Sequence, residues 1–116
     1  MDDEAWLDRA RAGDAAAFDR LVTRHERALY ALARALSPTA DDALDACQEA
    51  AIRAWRAIGR FDGPAANVAP WLARIVRNCC LDRGRALRRI AVRLDGLPNA
   101  AGDASEVRSG AIRLDP

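Results

Sequence analysis

Apolar positions recur along this chain at helical spacing, and nowhere do they alternate with the two-residue period of a strand. Residues 3–12 read as a short helix, acidic at its start and basic at its end, with Trp6, Leu7 and Ala10 on one side. Gly13-Asp14 interrupts it, and Asp14 is suited to cap the next helix. Residues 15–36 carry Phe18, Leu21, Val22, His25, Leu29, Leu32 and Leu36 at the spacing of one long helix. Ser37-Pro38-Thr39 ends that helix and begins another. Residues 40–58 place Leu44, Cys47, Ala51, Trp55 and Ile58 on one stripe. Residues 59–67 read as a loop, Asn67 is expected to cap the last helix, and Pro70 is tolerable in its first turn. That helix is expected to run from about Val68 to about Arg93. From Leu94 onward Gly, Pro and Ser accumulate without an apolar stripe, which predicts an interdomain linker or flexible, disordered tail over 94–116. The fold class is therefore all-α: a compact bundle of about four helices over residues 1–93, with that tail after it.

Charge changes this picture. The formal net charge is only +1, but it is an average over unlike segments. Residues 71–93 hold seven arginines and one acid, Asp82, for a local +6, whereas residues 1–70 sum to −3 and residues 94–116 to −2. At 100° per residue, Trp71, Leu72, Ile75, Val76, Cys79, Leu87 and Ile90 share one half of the last helix. Arg74, Arg77, Arg85 and Arg88 occupy the other half, with Asn78 and Arg89 at its edge. Like charges on one helix face repel, and a partner's phosphates relieve the repulsion. Solvated faces usually mix signs, so the segregation points to a nucleic acid. Every basic side chain except His25 is Arg, which suits bidentate phosphate recognition, although a coding bias is the plainer account of the missing Lys. On the third helical segment, Asp45, Gln48, Glu49 and Ile52 form one contiguous face with Arg53 and Arg56 beside it. A branched apolar residue ringed by carboxylate and amide groups suits a protein contact.

Other chemistry is thinly supported. The acidic N-terminus is unlike a signal peptide, and no apolar run reaches the roughly 20 residues that span a bilayer, so a cytoplasmic protein without membrane insertion is expected. His25, Cys47, Cys79 and Cys80 lack metal-ligand spacing. No catalytic residue, metal or cofactor is assigned. Asp41-Asp42 at a helix start is explained by the helix dipole, and Trp6, Trp55 and Trp71 fall on apolar stripes that predict core positions.

Four fragments, in order, resemble one family. Residues 42–55, Asp-Ala-Leu-Asp-Ala-Cys-Gln-Glu-Ala-Ala-Ile-Arg-Ala-Trp, look like the signature of region 2 of the extracytoplasmic-function (ECF) sigma factors. Phe61-Asp62-Gly63, then Trp71-Leu72, Ile75, Asn78, Asp82 and Arg85, resemble that family's next stretch. Ala10, Gly13-Asp14, Ala17-Phe18, Leu21-Val22, and then Tyr30, Leu32 and Ala33, resemble its opening. The resemblance implies that Asp45, Gln48, Glu49, Ile52 and Arg53 dock on the coiled coil of the largest catalytic subunit of core RNA polymerase. It implies that Arg60, Phe61, Asp62 and Asn67 receive a base flipped from the non-template single strand of the minus-ten promoter element. It implies that Arg74, Arg77, Asn78, Asp82, Arg85, Arg88 and Arg89 track promoter DNA. An anti-sigma factor is a further implied partner, and no covalent chemistry is required. Departures exist: Ala51 stands where relatives often have Phe, and Val68-Ala69-Pro70 where they commonly have Phe-Arg-Thr. Such sigma factors carry a second helical domain that nothing after Leu94 resembles. An excised domain with the start of its linker is expected, and weak promoter binding by this piece alone. Two readings of other classes stay open: a sigma-like module that binds an anti-sigma factor without promoter recognition, and a small thiol or metal enzyme.

Overall fold

The computed structural model describes residues 2–96, and of the tail expected over 94–116 all but the first three residues lie outside the described residues. Five α-helices form among them: α1 (Asp3–Arg11), α2 (Ala15–Arg24), α3 (Glu26–Ala35), α4 (Ala40–Ala57) and α5 (Val68–Asp95). Two short 3-10 turns, Ile58–Arg60 and Ala65–Asn67, stand between α4 and α5. No strand occurs among the described residues.

Side-chain caps start three of the helices, because first-turn amides have no partner within the helix. Asp2 accepts from the Ala5 N–H at 2.9 Å. Asp14 accepts from Ala16 and Ala17 at 3.0 and 3.2 Å, and Gly13 before it takes φ +102, a left-handed value suited to glycine. Thr39 accepts from Asp42 at 3.0 Å. Asn67 does not cap α5 as its position suggests: it is already in helical geometry, and the turn before it leads straight into α5.

The expected helix over 15–36 breaks at His25, whose backbone (φ −109, ψ 5) lies off helical geometry. Its amide donates to Val22 at 3.0 Å, a bond one residue shorter than helical. The break changes direction between two packing tasks, since α2 lies against α1 whereas α3 lies against α4 and α5.

The buried face of α4 also differs from expectation. Ala43, Ala46, Ala50 and Ala54 face the core, while Leu44 is 49% and Trp55 38% exposed. Small side chains let neighbouring helices approach closely, and Leu72, Val76, Cys79 and Cys80 of α5 belong to the same core. Trp55 instead meets Phe18 edge-on, with ring centroids 5.2 Å apart. Trp6 is partly buried below the Arg20 guanidinium, and Trp71 packs on Phe61. Helix α5 continues two residues past the expected Arg93, and its last turns outrun the core: Ile90, expected on the docking half, is 48% exposed.

Candidate nucleic-acid and polymerase interfaces

The inner side of α5 is fixed by Val68, Leu72, Val76, Cys79 and Cys80, all buried in the common core. This anchors the rotation of the helix and turns Arg74, Arg77, Asn78, Arg85 and Arg89 to solvent, with Arg88 half-buried. Arg74, Arg77 and Arg89 meet no acid among the described residues. Farther along, Arg85, Arg88, Arg89, Val92 and Arg93 line an open groove of about 640 Å³. Three unpaired guanidinium groups and an arginine-lined groove on one helix make a surface that favours anions.

Two other charged residues of α5 turn toward α4 instead. Arg83 donates to Asp42 at 3.1 Å and to Asp45 at 3.3 Å. Asp42 therefore does more than answer a helix dipole. Asp82 has both oxygens occupied, one by Arg85 at 3.0 Å and the other by Arg53 at 3.1 Å. Arg53 also reaches Glu49 at 3.3 Å. The run Glu49–Arg53–Asp82–Arg85 thus crosses from α4 to α5, and the Asp82 hydrogen bond raises the Arg53 pKa above the ordinary arginine value.

The segment between α4 and α5 is held rather than loose. Phe61 is only 9% exposed, and its ring lies 5.0 Å from that of Trp71. Its carbonyl accepts from the Arg11 guanidinium at 3.1 Å, and the Ala65 N–H donates to Glu4 at 2.6 Å. Gly63 turns the chain at φ +134, and a Cβ there would stand 3.1 Å from the Asn67 amide nitrogen. Arg60, Asp62 and Asn67 stay exposed around this turn. Of the four residues expected to hold a base, three are at the surface, and Phe61 supports them from the core.

On the side of α4 away from the core, Leu44, Gln48, Ile52 and Trp55 form one band, all within about a quarter of the helical circumference at 100° per residue. Ile52 is 46% exposed. Asp45 and Glu49 border the band. Single exposed apolar residues are ordinary, but three along one strip, of which only Trp55 is partly covered, by Phe18, fit a protein contact.

Burial pushes the thiols of Cys47, Cys79 and Cys80 up, away from the reactive thiolate. No group of three or more His, Cys, Asp or Glu side chains among the described residues has the arrangement to hold a metal ion. No helix among them is long and apolar enough to cross a membrane.

The family described as Sigma-70 region 2 matches residues 21–90 of this chain. The chain belongs to the sigma-70 region 2 family. Its relatives place it in the ECF branch. It is 54% identical over 74 residues to the ECF RNA polymerase sigma factor SigM of Mycobacterium tuberculosis, covering 64% of this chain and 37% of that protein. It is 42% identical over 87 residues to the RNA polymerase sigma factor NccH of Alcaligenes xylosoxydans xylosoxydans, covering 75% and 44%. It is 36% identical over 78 residues to the ECF RNA polymerase sigma-E factor of Escherichia coli K12, covering 67% and 40%. The chain thus spans less than half the length of each of these relatives. No solved structure matches it significantly.

Within the matched sigma region lie both candidate faces and the turn between them. Arg74, Arg77, Asn78, Arg85 and Arg89 share the outward side of α5, whereas Asp82 is committed to Arg53 and Arg85. Gln48, Glu49 and Ile52 stand on the exposed side of α4, and Asp45 and Arg53 lean toward α5 through their ion pairs. Leu44 and Trp55 were missed because their size marks them as core. The sequence signal that finds them is the run of alanines at 43, 46, 50 and 54, which forms a charge-free face of its own. Glu4 and Arg11 were also missed, since their partners are backbone atoms 61 and 50 residues away.

Proposed function

We propose that this sigma region 2 domain docks on core RNA polymerase through α4 and holds the opened minus-ten promoter element with α5 and the turn before it. The observation that carries the reading is the division of labour between two outward faces. One is an arginine ridge with Arg74, Arg77 and Arg89 unpaired among the described residues, and the other is a band of Leu44, Gln48, Ile52 and Trp55 bordered by Asp45 and Glu49. The ridge suits phosphates, whose contacts set position but carry no sequence information. Sequence is read by Asn78, by the exposed Arg60, Asp62 and Asn67, or by both sets. Capturing an unstacked base returns part of the few kcal/mol needed to extrude it, which favours the melted duplex. Asp82 enters this reading as a group that orients Arg85 and Arg53. The band on α4 suits the coiled coil of the largest catalytic subunit, because an amphipathic helix buries its apolar face against such a strip. Chemistry at the scissile or forming bond belongs to the polymerase, and the domain acts by binding in the cytoplasm.

The test is fluorescence anisotropy with single-stranded minus-ten oligonucleotides, with and without core polymerase. Arg74→Ala and Arg77→Ala are expected to weaken binding and each to lower the log-log salt slope by about 0.7. Unchanged oligonucleotide binding by both variants, with an anti-sigma protein still bound, would instead support the protein-interaction module.

A further inference from the structure

We infer that Glu4 and Arg11 of α1 are positioning residues that set the shape of the 61–67 turn for base reading; the inference rests on the function proposed above. Two long-range hydrogen bonds carry it. Arg11 donates to the Phe61 carbonyl at 3.1 Å, and Glu4 accepts from the Ala65 amide at 2.6 Å. They grip the chain on either side of Asp62-Gly63-Pro64. Glu4 and Arg11 stand two helical turns apart and so share one face of α1, about 10 Å from end to end.

The helix that carries the clamp is anchored in the core. Leu7, between the two residues, is 0% exposed, and Ala10 is 1% exposed. Asp8 pairs with Arg11 at 3.4 Å, and Asp3 pairs with Arg24 of α2 at 3.1 Å. On the far side of the turn, Phe61 is wedged on Trp71 of α5. The backbone between these points is tied at both ends. Asn67 lies over Gly63, so the two exposed polar side chains Asp62 and Asn67 are presented from a frame whose geometry α1 determines. A frame ordered before binding spares the ligand the entropy of ordering it. Helix α1 lies outside residues 21–90, the part matched by the Sigma-70 region 2 family.

The experiment uses the full chain and a panel of fluorescein-labelled single-stranded DNA decamers that vary one position at a time. Affinities give the discrimination at each position, and the salt slope counts phosphate contacts independently. Glu4→Ala and Arg11→Ala are expected to reduce discrimination at the most selective position about tenfold, the scale of one charge-assisted hydrogen bond, with the salt slope unchanged. Glu4→Gln, which keeps an acceptor oxygen at the same reach, is expected to retain it. Amide exchange at Ala65 should accelerate in Glu4→Ala and stay slow in Glu4→Gln. The inference is overturned if Glu4→Ala discriminates as the parent does. It is equally overturned if Glu4→Ala weakens all decamers alike along with thermal stability, since the residue is then merely structural. If the parent chain itself shows no position dependence, the base-reading part of the proposed function fails, and this inference with it.

Discussion

Asp82 offers the sharpest test of the proposed DNA contact by α5, because two readings of it predict opposite signs. The resemblance to sigma factors puts Asp82 among DNA contacts, yet both of its oxygens are taken, by Arg85 at 3.0 Å and Arg53 at 3.1 Å. Replacing it by Asn keeps the shape and removes one negative charge. A phosphate oxygen bonded to the far side of Arg85 would lie about 7 Å from that carboxylate, allowing about 2.9 Å for the new hydrogen bond. Repulsion at that distance in water amounts to about 0.6 kcal/mol. Asp82→Asn is therefore expected to tighten oligonucleotide binding about threefold at low salt. The salt slope should steepen by up to about 0.7 as Arg85 is freed for a phosphate. The stability cost stays near 1 kcal/mol, because Asp82 and its partners are 41–59% exposed. Arg53→Ala supplies the opposite perturbation. It leaves Asp82 wholly to Arg85 and should weaken DNA binding slightly. Anisotropy titrations of a 12-nucleotide single strand over a salt series, beside thermal melts, read all of these quantities. A loss of affinity in Asp82→Asn confined to one base position would refute the reasoning, showing that the carboxylate accepts from a base such as cytosine.

Three further outcomes are expected. Ile52→Arg should sharply reduce association with core polymerase in a pull-down or anisotropy competition, with helicity and melting temperature kept, since the side chain is 46% exposed. Leu7→Ala removes a 0%-exposed side chain and should cost about 2–5 kcal/mol in urea unfolding. The three thiols should resist iodoacetamide in the folded protein and react once it is unfolded, as burial raises their pKa. Because the folded values lie above the unfolded ones, their contribution to stability is complete below the ordinary thiol range and is lost as pH rises through the folded values, which a melt series at alkaline pH would track.

The sequence made the helices legible wherever punctuation carried a local cause. Asp14 caps α2, Ser37-Pro38-Thr39 separates α3 from α4, and Pro70 sits in the first turn of α5, all as their side-chain chemistry dictates. The break at His25 had no such sign. Neither glycine nor proline stands there, and the change of direction comes from the different elements that α2 and α3 pack against. The arginine ridge was legible because its repulsion is a property of one helix. The ion pairs of Arg53, Asp82 and Arg83 were not, because they depend on the separation and rotation of two helices. Ranking side chains by size sent Leu44 and Trp55 to the core in place of four alanines.

Those alanines explain why the two proposed faces are electrically connected. Ala43, Ala46, Ala50 and Ala54 present methyl groups to the core, and their size permits a close approach of neighbouring helices. Arg53 and Asp42 stand on the flank of α4 nearest α5 and reach Asp82 and Arg83 at 3.1 Å. Larger residues on the alanine face would hold the helices apart and leave these groups to water. Leu44, Ile52 and Trp55 lie on the side of α4 opposite these alanines and are 38–49% exposed. The exposed apolar band of α4 is thus linked, through Arg53 and Asp82, to the guanidinium of Arg85. Drawing Arg53 away from Asp82 would leave that carboxylate to Arg85 alone, so on the proposed function a contact at α4 reaches the arginine ridge through these two ion pairs.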